Sequence, residues 1–116
     1  MTNVTVSASV VVPRAPEAVW ASLTRGTGLP GAVLAARPSE RIRFAHDGVK
    51  GWLPVGEVVG EYRLEPSADG VRLHLDVEAP LPEGELGEQI RRRLEGWVSG
   101  SLAARSRELG APRRAA

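Results

Sequence analysis

Two titratable side chains fall on apolar faces that the sequence predicts. His46 follows Phe44 at a step of two, and Tyr62 alternates in the same way with Val58 and Leu64, so strands would place each with its apolar neighbours. An imidazole or a phenol there could move a proton or hold a ligand oxygen by hydrogen bond. Each has a structural alternative: a partly solvated His beside a turn, or a core Tyr that reaches the rim.

Four further residues are candidates for contact with a ligand. Trp52 lies in the Gly/Pro-rich segment GVKGWLPVG, and Trp97 lies on a predicted long helix; either could form an aromatic wall, although Trp97 also suits a core. Gly60 leaves room for a ligand or marks a bulge. Arg93 could supply one fixed charge for an anionic ligand, or its stem could cover apolar surface while the guanidinium reaches water.

Composition excludes several classes of function. The chain has no cysteine, and His74 lies among charged residues on a predicted polar face, so we expect no metal and no nucleotide cofactor. A net charge of +1 gives no field for nucleic acid, and Arg91–Arg93 alone is too small a patch. No apolar run is long enough to insert into a membrane. With no signal peptide at the N-terminus, these features predict a cytoplasmic protein.

The chain reads as a strand, a short helix, about four more strands and a long helix. Period-two alternation predicts strands at 4–12, 41–46, 57–65 and 71–79. Residues 32–36 could be a short strand or a loose helical turn, and we favour the strand. Pro16 and Glu17 open the short helix, and Asp47-Gly48 and residues 66–70 read as turns. Apolar-in, polar-out alternation indicates an antiparallel sheet with one wet face.

The long helix is predicted from Glu85 to Leu109, with Gly110 as its cap. Its inward stripe is read from steps of three and four: Leu86, Ile90, Leu94, Trp97, Ser101 and Ala104, widened by Val98, Leu102 and Leu109. Arg105 and Glu108 are placed on the opposite, polar side. Gly96 and Gly100 each cost about 1 kcal/mol relative to Ala inside a helix, so we expect close packing on the sheet or space for a ligand to explain them.

Length and order predict one domain, residues 1–110, of the α+β class, followed by a disordered tail at 111–116. A curved antiparallel β-sheet packs on the long C-terminal α-helix, which is the one element large enough to cover its apolar face. The excess of Arg over Lys, with abundant Ala, Gly, Pro and Val, suggests a GC-rich bacterial genome.

The chain resembles the START-like (SRPBCC) superfamily of helix-grip proteins, with its polyketide cyclase/dehydrase-like members and its chaperone-activator branch. The resemblance rests on VTVSASVVVPRAPEAVWASLTR, ERIRFAHDG, GEYRLEPSADGVRLHLDVEAP and the helix containing Gly96-Trp97. It implies a ligand cavity between the sheet and the long helix. Proteins of this kind bind lipids, hormones, polyketides or other hydrophobic small molecules, and some are cyclases or dehydratases.

This chain is shorter than the family pattern. Only about 15 residues separate the first helix from Arg41, where the family usually carries a second helix and further strands. The resemblance therefore implies a pocket that is small, open or completed by a second copy. An exposed sheet edge invites pairing, and we favour a homodimer over a monomer.

Three functional hypotheses follow. The first is a protein that binds a hydrophobic or aromatic small molecule between sheet and helix, through Trp52, Gly60, Arg93 and Trp97. The second is a cyclase or dehydratase that uses the same cavity, with His46 or Tyr62 moving a proton and no metal or nucleotide cofactor. The third is an interaction module that has lost its pocket and works through its exposed edge.

Overall fold

The computed structural model describes residues 2–25, 32–47 and 57–110. In chain order the elements are β1 (Thr2–Val12), α1 (Pro16–Thr24), β2 (Ala32–Arg37), β3 (Arg41–Asp47), β4 (Glu57–Ser67), β5 (Gly70–Leu81) and α2 (Glu85–Gly110). The predicted turn signal at Gly48 and the candidate ligand residue Trp52 lie outside the described residues. The segment 32–36, which could have been a helical turn, is a strand, as predicted.

The five strands form one antiparallel sheet in the order β1-β5-β4-β3-β2. Burial alternates along β4 and β5, because every second side chain points to the helices and the others point to solvent. β4 and β5 continue to Ser67 and Gly70, which pair with each other, so the predicted five-residue turn is shorter than expected. Gly70 has a φ of +140°, and a Cβ there would meet the carbonyl oxygen of Val12, so this corner requires glycine.

The apolar core lies between the inner face of the sheet and α2. It is formed by buried side chains of both helices and of four strands: Val6, Val12, Val19, Leu23, Ile42, Phe44, Val58, Tyr62, Leu64, Val71, Leu73, Leu75, Val77, Ala79, Leu81, Ile90, Leu94, Val98, Leu102 and Leu109. Trp20 and Trp97 are partly buried and pack against it. The backbone of α2 runs closest to β1 and β5, and α1 packs on β5.

The buried stripe of α2 differs from the predicted one. It passes through Gly87, Ile90, Leu94, Val98, Leu102 and Leu109, all of which except Gly87 were predicted, whereas Leu86 is 59% exposed and Ala104 is exposed. At about 100° per residue the centre of the buried stripe is rotated by roughly 40° from that of the predicted stripe. The placement of Leu86 on the inward stripe was therefore wrong, because the first turn buries Gly87 against the carbonyl of Pro82 instead.

Gly96 and Gly100 lie on the exposed side of α2, and a Cβ at either position would meet nothing within 4 Å. The expectation that they allow close packing on the sheet was wrong. The rotation of the stripe accounts for this result, since both glycines fall on the side of the helix away from the sheet.

Candidate functional site

Aromatic side chains connect the sheet to α2 on the side of β3 and β4. The ring of His46 lies parallel to that of Trp97, with a 5.8 Å centroid distance and a 7° interplanar angle. The ring of Phe44 stacks on Tyr62, with a 5.8 Å centroid distance and a 27° angle. We call Trp97, His46, Phe44 and Tyr62 the aromatic row.

The sheet register places the row. On β3, Phe44 and His46 are two residues apart and share the inner face, and Tyr62 on β4 pairs with Ile42. His46 is therefore four residues further along β3 than the position opposite Tyr62, about 13 Å along the strand. Trp97 approaches His46 from the edge of the α2 stripe. The row thus has His46 and Trp97 at one end and Tyr62 at the other.

Phe44 lies in the middle of the row and packs against the sheet. It is fully buried and pairs with Gly60, and a Cβ at residue 60 would overlap the tip of its ring. Gly60 therefore accommodates Phe44, which fills the space that we had considered for a ligand. An aromatic ring over a strand glycine also buries backbone that would otherwise be open to water.

Tyr62 ends in a polar cluster that joins both helices to the sheet. Its hydroxyl is hydrogen-bonded to the guanidinium of Arg105. Arg105 donates from Nη1 to Ser22 Oγ at 3.0 Å and to the Ser22 carbonyl at 3.3 Å, and it pairs with Glu108 at 3.3 Å. Ser22 Oγ also donates to Glu108 at 3.4 Å. This arrangement fixes the guanidinium between α1 and α2.

The electrostatics of Tyr62 reflect two opposing effects. Burial raises its pKa above the ordinary value of 10.0, while the charge of Arg105 and its hydrogen bond act in the opposite direction. The net result is a raised pKa, so the phenol is protonated at neutral pH. It can donate a hydrogen bond there, and it is a poor base.

Arg105 was missed from the sequence and was wrongly placed on the polar side of α2. Its side chain is only 14% exposed. The spacing contains the signal, because Arg105 is seven residues after Val98 and four before Leu109, both of which are buried. The charge of Arg105 led us to assign it to solvent.

Arg93 and His74 are not members of the row. Arg93 is exposed on α2, one helical turn before Trp97. His74 is on the outer, polar face of the sheet, where its Nε2 lies 3.7 Å from a carboxylate oxygen of Glu65. Among the described residues, no group of three His, Asp or Glu side chains is arranged to hold a metal ion. No helix in the described ranges is long and apolar enough to cross a bilayer.

The structure also contains an open surface depression at the start of α2. Its volume is about 340 Å³, and its lining is mostly polar: Gly84, Glu85, Glu88, Gln89 and Arg92. These residues lie at the N-terminus of α2, before the turns that carry Trp97 and Arg105. The depression is therefore separate from the row.

No protein-family model and no curated protein sequence matches the chain. Solved structures do match. Ara h 8.0201 has a TM-score of 0.68 at 12% identity, over 93% of this chain and 98% of that one. The AHSA1-like protein RHE_CH02687 from Rhizobium etli has a TM-score of 0.65 at 19% identity, over 95% and 84%. The di-domain ARO/CYC protein StfQ of the steffimycin biosynthetic pathway has a TM-score of 0.67 at 14% identity, over 96% of this chain and 52% of that one.

These likenesses concern the fold. They extend over nearly the whole chain, although the sequences share fewer than one residue in five. The five-stranded antiparallel sheet, the short helix after β1 and the long C-terminal helix agree with the architecture predicted from the sequence resemblance. The chain therefore has a START-like, helix-grip α+β fold.

Proposed function

We propose that the protein binds a hydrophobic, planar small molecule between the sheet and α2, against the aromatic row. The observation that carries this proposal is the parallel stack of His46 on Trp97, which joins β3 to α2 while both side chains remain partly exposed. A flat apolar ligand that stacks on such a pair buries its surface and gains aromatic contact.

Exposed apolar surface beside the row supports the proposal. Val33 on β2 pairs with Phe44 and is 54% exposed, and Leu34 at the adjoining bulge is equally exposed. Apolar surface therefore continues from the buried row to the edge of the sheet. Large apolar side chains that remain open to water next to an aromatic cluster are typical of a ligand entrance.

Substitution of Trp97 tests the proposal. The probe is 4-ethylbiphenyl, an elongated apolar molecule, and binding is measured by calorimetric titration. We expect Trp97→Leu to weaken binding about tenfold, because it removes the stacking surface while it keeps an apolar side chain. Leu86→Ala is the matched control, since Leu86 is an exposed apolar residue on the same helix. Equal losses in both variants, or no binding by the unaltered protein, would contradict the proposal.

An enzyme of the cyclase or dehydratase type is the second candidate. His46 supports this candidate, because its side chain is titratable and lies in the row. The structural likeness to the ARO/CYC protein StfQ also supports an enzyme of this type. His46→Phe separates the two functions, since phenylalanine keeps a flat ring against Trp97 and cannot transfer a proton. A binding protein keeps its affinity in this variant, whereas an enzyme that uses His46 binds its substrate and loses turnover.

The hypothesis of a homodimer or interaction module depends on β2. All six residues of this edge strand are exposed, which favours pairing with another chain. A bulge between Val33 and Ala35 interrupts the register and makes continuous pairing along the edge harder. Native mass spectrometry of the purified protein decides between monomer and dimer and also detects any small molecule that remains bound.

A further inference from the structure

The outer face of the sheet carries basic side chains that lie side by side across four strands. In the sheet register Arg37 pairs with Arg41, Arg41 with Arg63, and Arg63 with His74. Directly paired residues of an antiparallel sheet point to the same face and lie about 5 Å apart. We call Arg37, Arg41, Arg63 and His74 the basic band. It lies on the opposite face of the sheet from the aromatic row, so it is independent of the proposed ligand site.

The two arginines in the middle of the band are not neutralised by neighbouring carboxylates. Arg41 and Arg63 are exposed, and neither forms an ion pair within the described ranges. The carboxylates of Glu40 and Glu65 pair with the two end residues of the band instead, at nitrogen–oxygen distances of 3.8 and 3.7 Å. Like charges directly opposite each other destabilise a sheet. The Arg41–Arg63 pair is therefore an unfavourable contact that an anion on this face would relieve.

The chemistry of this face favours carboxylates over a nucleic-acid strand. A guanidinium group offers hydrogen-bond donors only, in a planar fork that matches a carboxylate or a phosphate. The described part of the outer face has no Phe, Tyr or Trp on which a base could stack. The neighbouring row of the same face, Arg43, Glu61 and Asp76, has one positive and two negative charges. A nucleic-acid strand brings a charge with every nucleotide, whereas a peptide can carry acidic residues only where it crosses the band.

We infer that the basic band is a docking surface for an acidic segment of a partner protein. The segment lies across the strands, and its carboxylates accept hydrogen bonds from Arg41 and Arg63. Three strand spacings separate Arg37 from His74, roughly 14 Å. An extended peptide of about five residues covers that distance, so a short acidic run is sufficient. The partner supplies the negative charge that the middle of the band lacks.

The first test measures the binding of a fluorescein-labelled hexaglutamate peptide by fluorescence anisotropy. We expect the double variant Arg41→Gln/Arg63→Gln to weaken binding about three- to tenfold, the equivalent of two charge contacts at an exposed surface. The matched control is Arg91→Gln/Arg93→Gln, which removes the same net charge from exposed positions on α2. Binding to the unaltered protein should also weaken as ionic strength rises, because exposed charges are screened.

Three results would overturn the inference. One is the absence of hexaglutamate binding to the unaltered protein at low ionic strength. Another is an equal loss of affinity in the two double variants, which would mean that net charge alone attracts the peptide. The third is tighter binding of a labelled hexathymidylate than of hexaglutamate, which would assign the surface to nucleic acid.

The second test needs no ligand. Arg41→Gln and Arg63→Gln each remove one side of the repulsion, so at low ionic strength either substitution should raise the midpoint of urea unfolding, and the second should add little to the first. This coupling should vanish at high salt. Saturating hexaglutamate should remove it as well, because the bound carboxylates neutralise both arginines. Additive effects of the two substitutions at low ionic strength would show that the two guanidinium groups do not act as one site, and the inference would fail.

Discussion

The packing of the Phe44 ring against Gly60 can be tested by a double-mutant cycle with Gly60→Ala and Phe44→Leu. A Cβ at residue 60 would overlap Cζ of Phe44 and lie 2.8 and 2.9 Å from Cε1 and Cε2. The ring is fully buried and stacked on Tyr62, so it cannot tilt away cheaply. Overpacking of this kind costs about 1–3 kcal/mol. Alanine recovers about 0.5–1 kcal/mol relative to glycine in a strand.

Phe44→Leu alone should destabilise the protein by about 1–2 kcal/mol, because it loses the aromatic contact with Tyr62 and fills the space imperfectly. In that background Gly60→Ala should be neutral or stabilising, since the ring atoms that it meets are gone. The two changes should therefore couple by about 1–3 kcal/mol. The free energy of unfolding of each variant is measured by urea denaturation, followed by circular dichroism.

A control cycle combines Phe44→Leu with Gly96→Ala. Gly96 is exposed and meets nothing, so its change should add to that of Phe44. If the cycle with Gly60 is also additive within about 0.5 kcal/mol, then Phe44 does not occupy the space above Gly60. The space would be open to a ligand, and our account of the middle of the row would be wrong.

Three further predictions concern stability. Gly96→Ala and Gly100→Ala should each raise the free energy of unfolding by up to about 1 kcal/mol, whereas a Cβ at Gly87 meets the carbonyl oxygen of Pro82, so Gly87→Ala should lower the melting temperature. Because the folded state raises the pKa of Tyr62 above 10.0, it holds this proton more tightly than the unfolded state. Stability should fall as pH rises from about 10 through the folded pKa, and Tyr62→Phe should lose this dependence in urea unfolding at several pH values. Arg14 donates from Nε to the carbonyl of Leu109 at 2.6 Å near the end of α2, so Arg14→Ala should cost about 1 kcal/mol, against little change for Arg93→Ala.

The strands were predictable because their pattern is local. One face of β4 and β5 is buried and the other is wet, so every second residue must be apolar, and this alternation is visible in the sequence. The bounds of α2 were also predicted to within a residue, since Glu85 follows a Gly/Pro-rich turn and the helical spacing runs unbroken to Leu109. Such features depend on neighbours in the chain.

The rotation of α2 and its polar contacts were not predictable in this way. Leu86 is apolar but exposed, and Arg105 is charged but mostly buried. The polarity of each residue therefore predicts the wrong side of the helix, and its position is determined by tertiary packing. The bond between Arg105 and Ser22 joins residues 83 apart in the chain. His46 and Trp97 were both singled out from the sequence, but their stacking depends on how α2 packs on the sheet.

The positions of His46 and Tyr62 bear on whether the protein is an enzyme. With Phe44 between them and about 13 Å of strand separating them, the two side chains cannot share one proton as a dyad. Arg105 donates to the oxygen of Tyr62, and burial raises the pKa of the phenol, so Tyr62 serves as a donor and is unsuited to remove a proton. Among the residues of the row, only His46 is then left as a base. Catalysis in this row would depend on one side chain, while binding uses the whole row, and for this reason we place a binding function ahead of an enzymatic one.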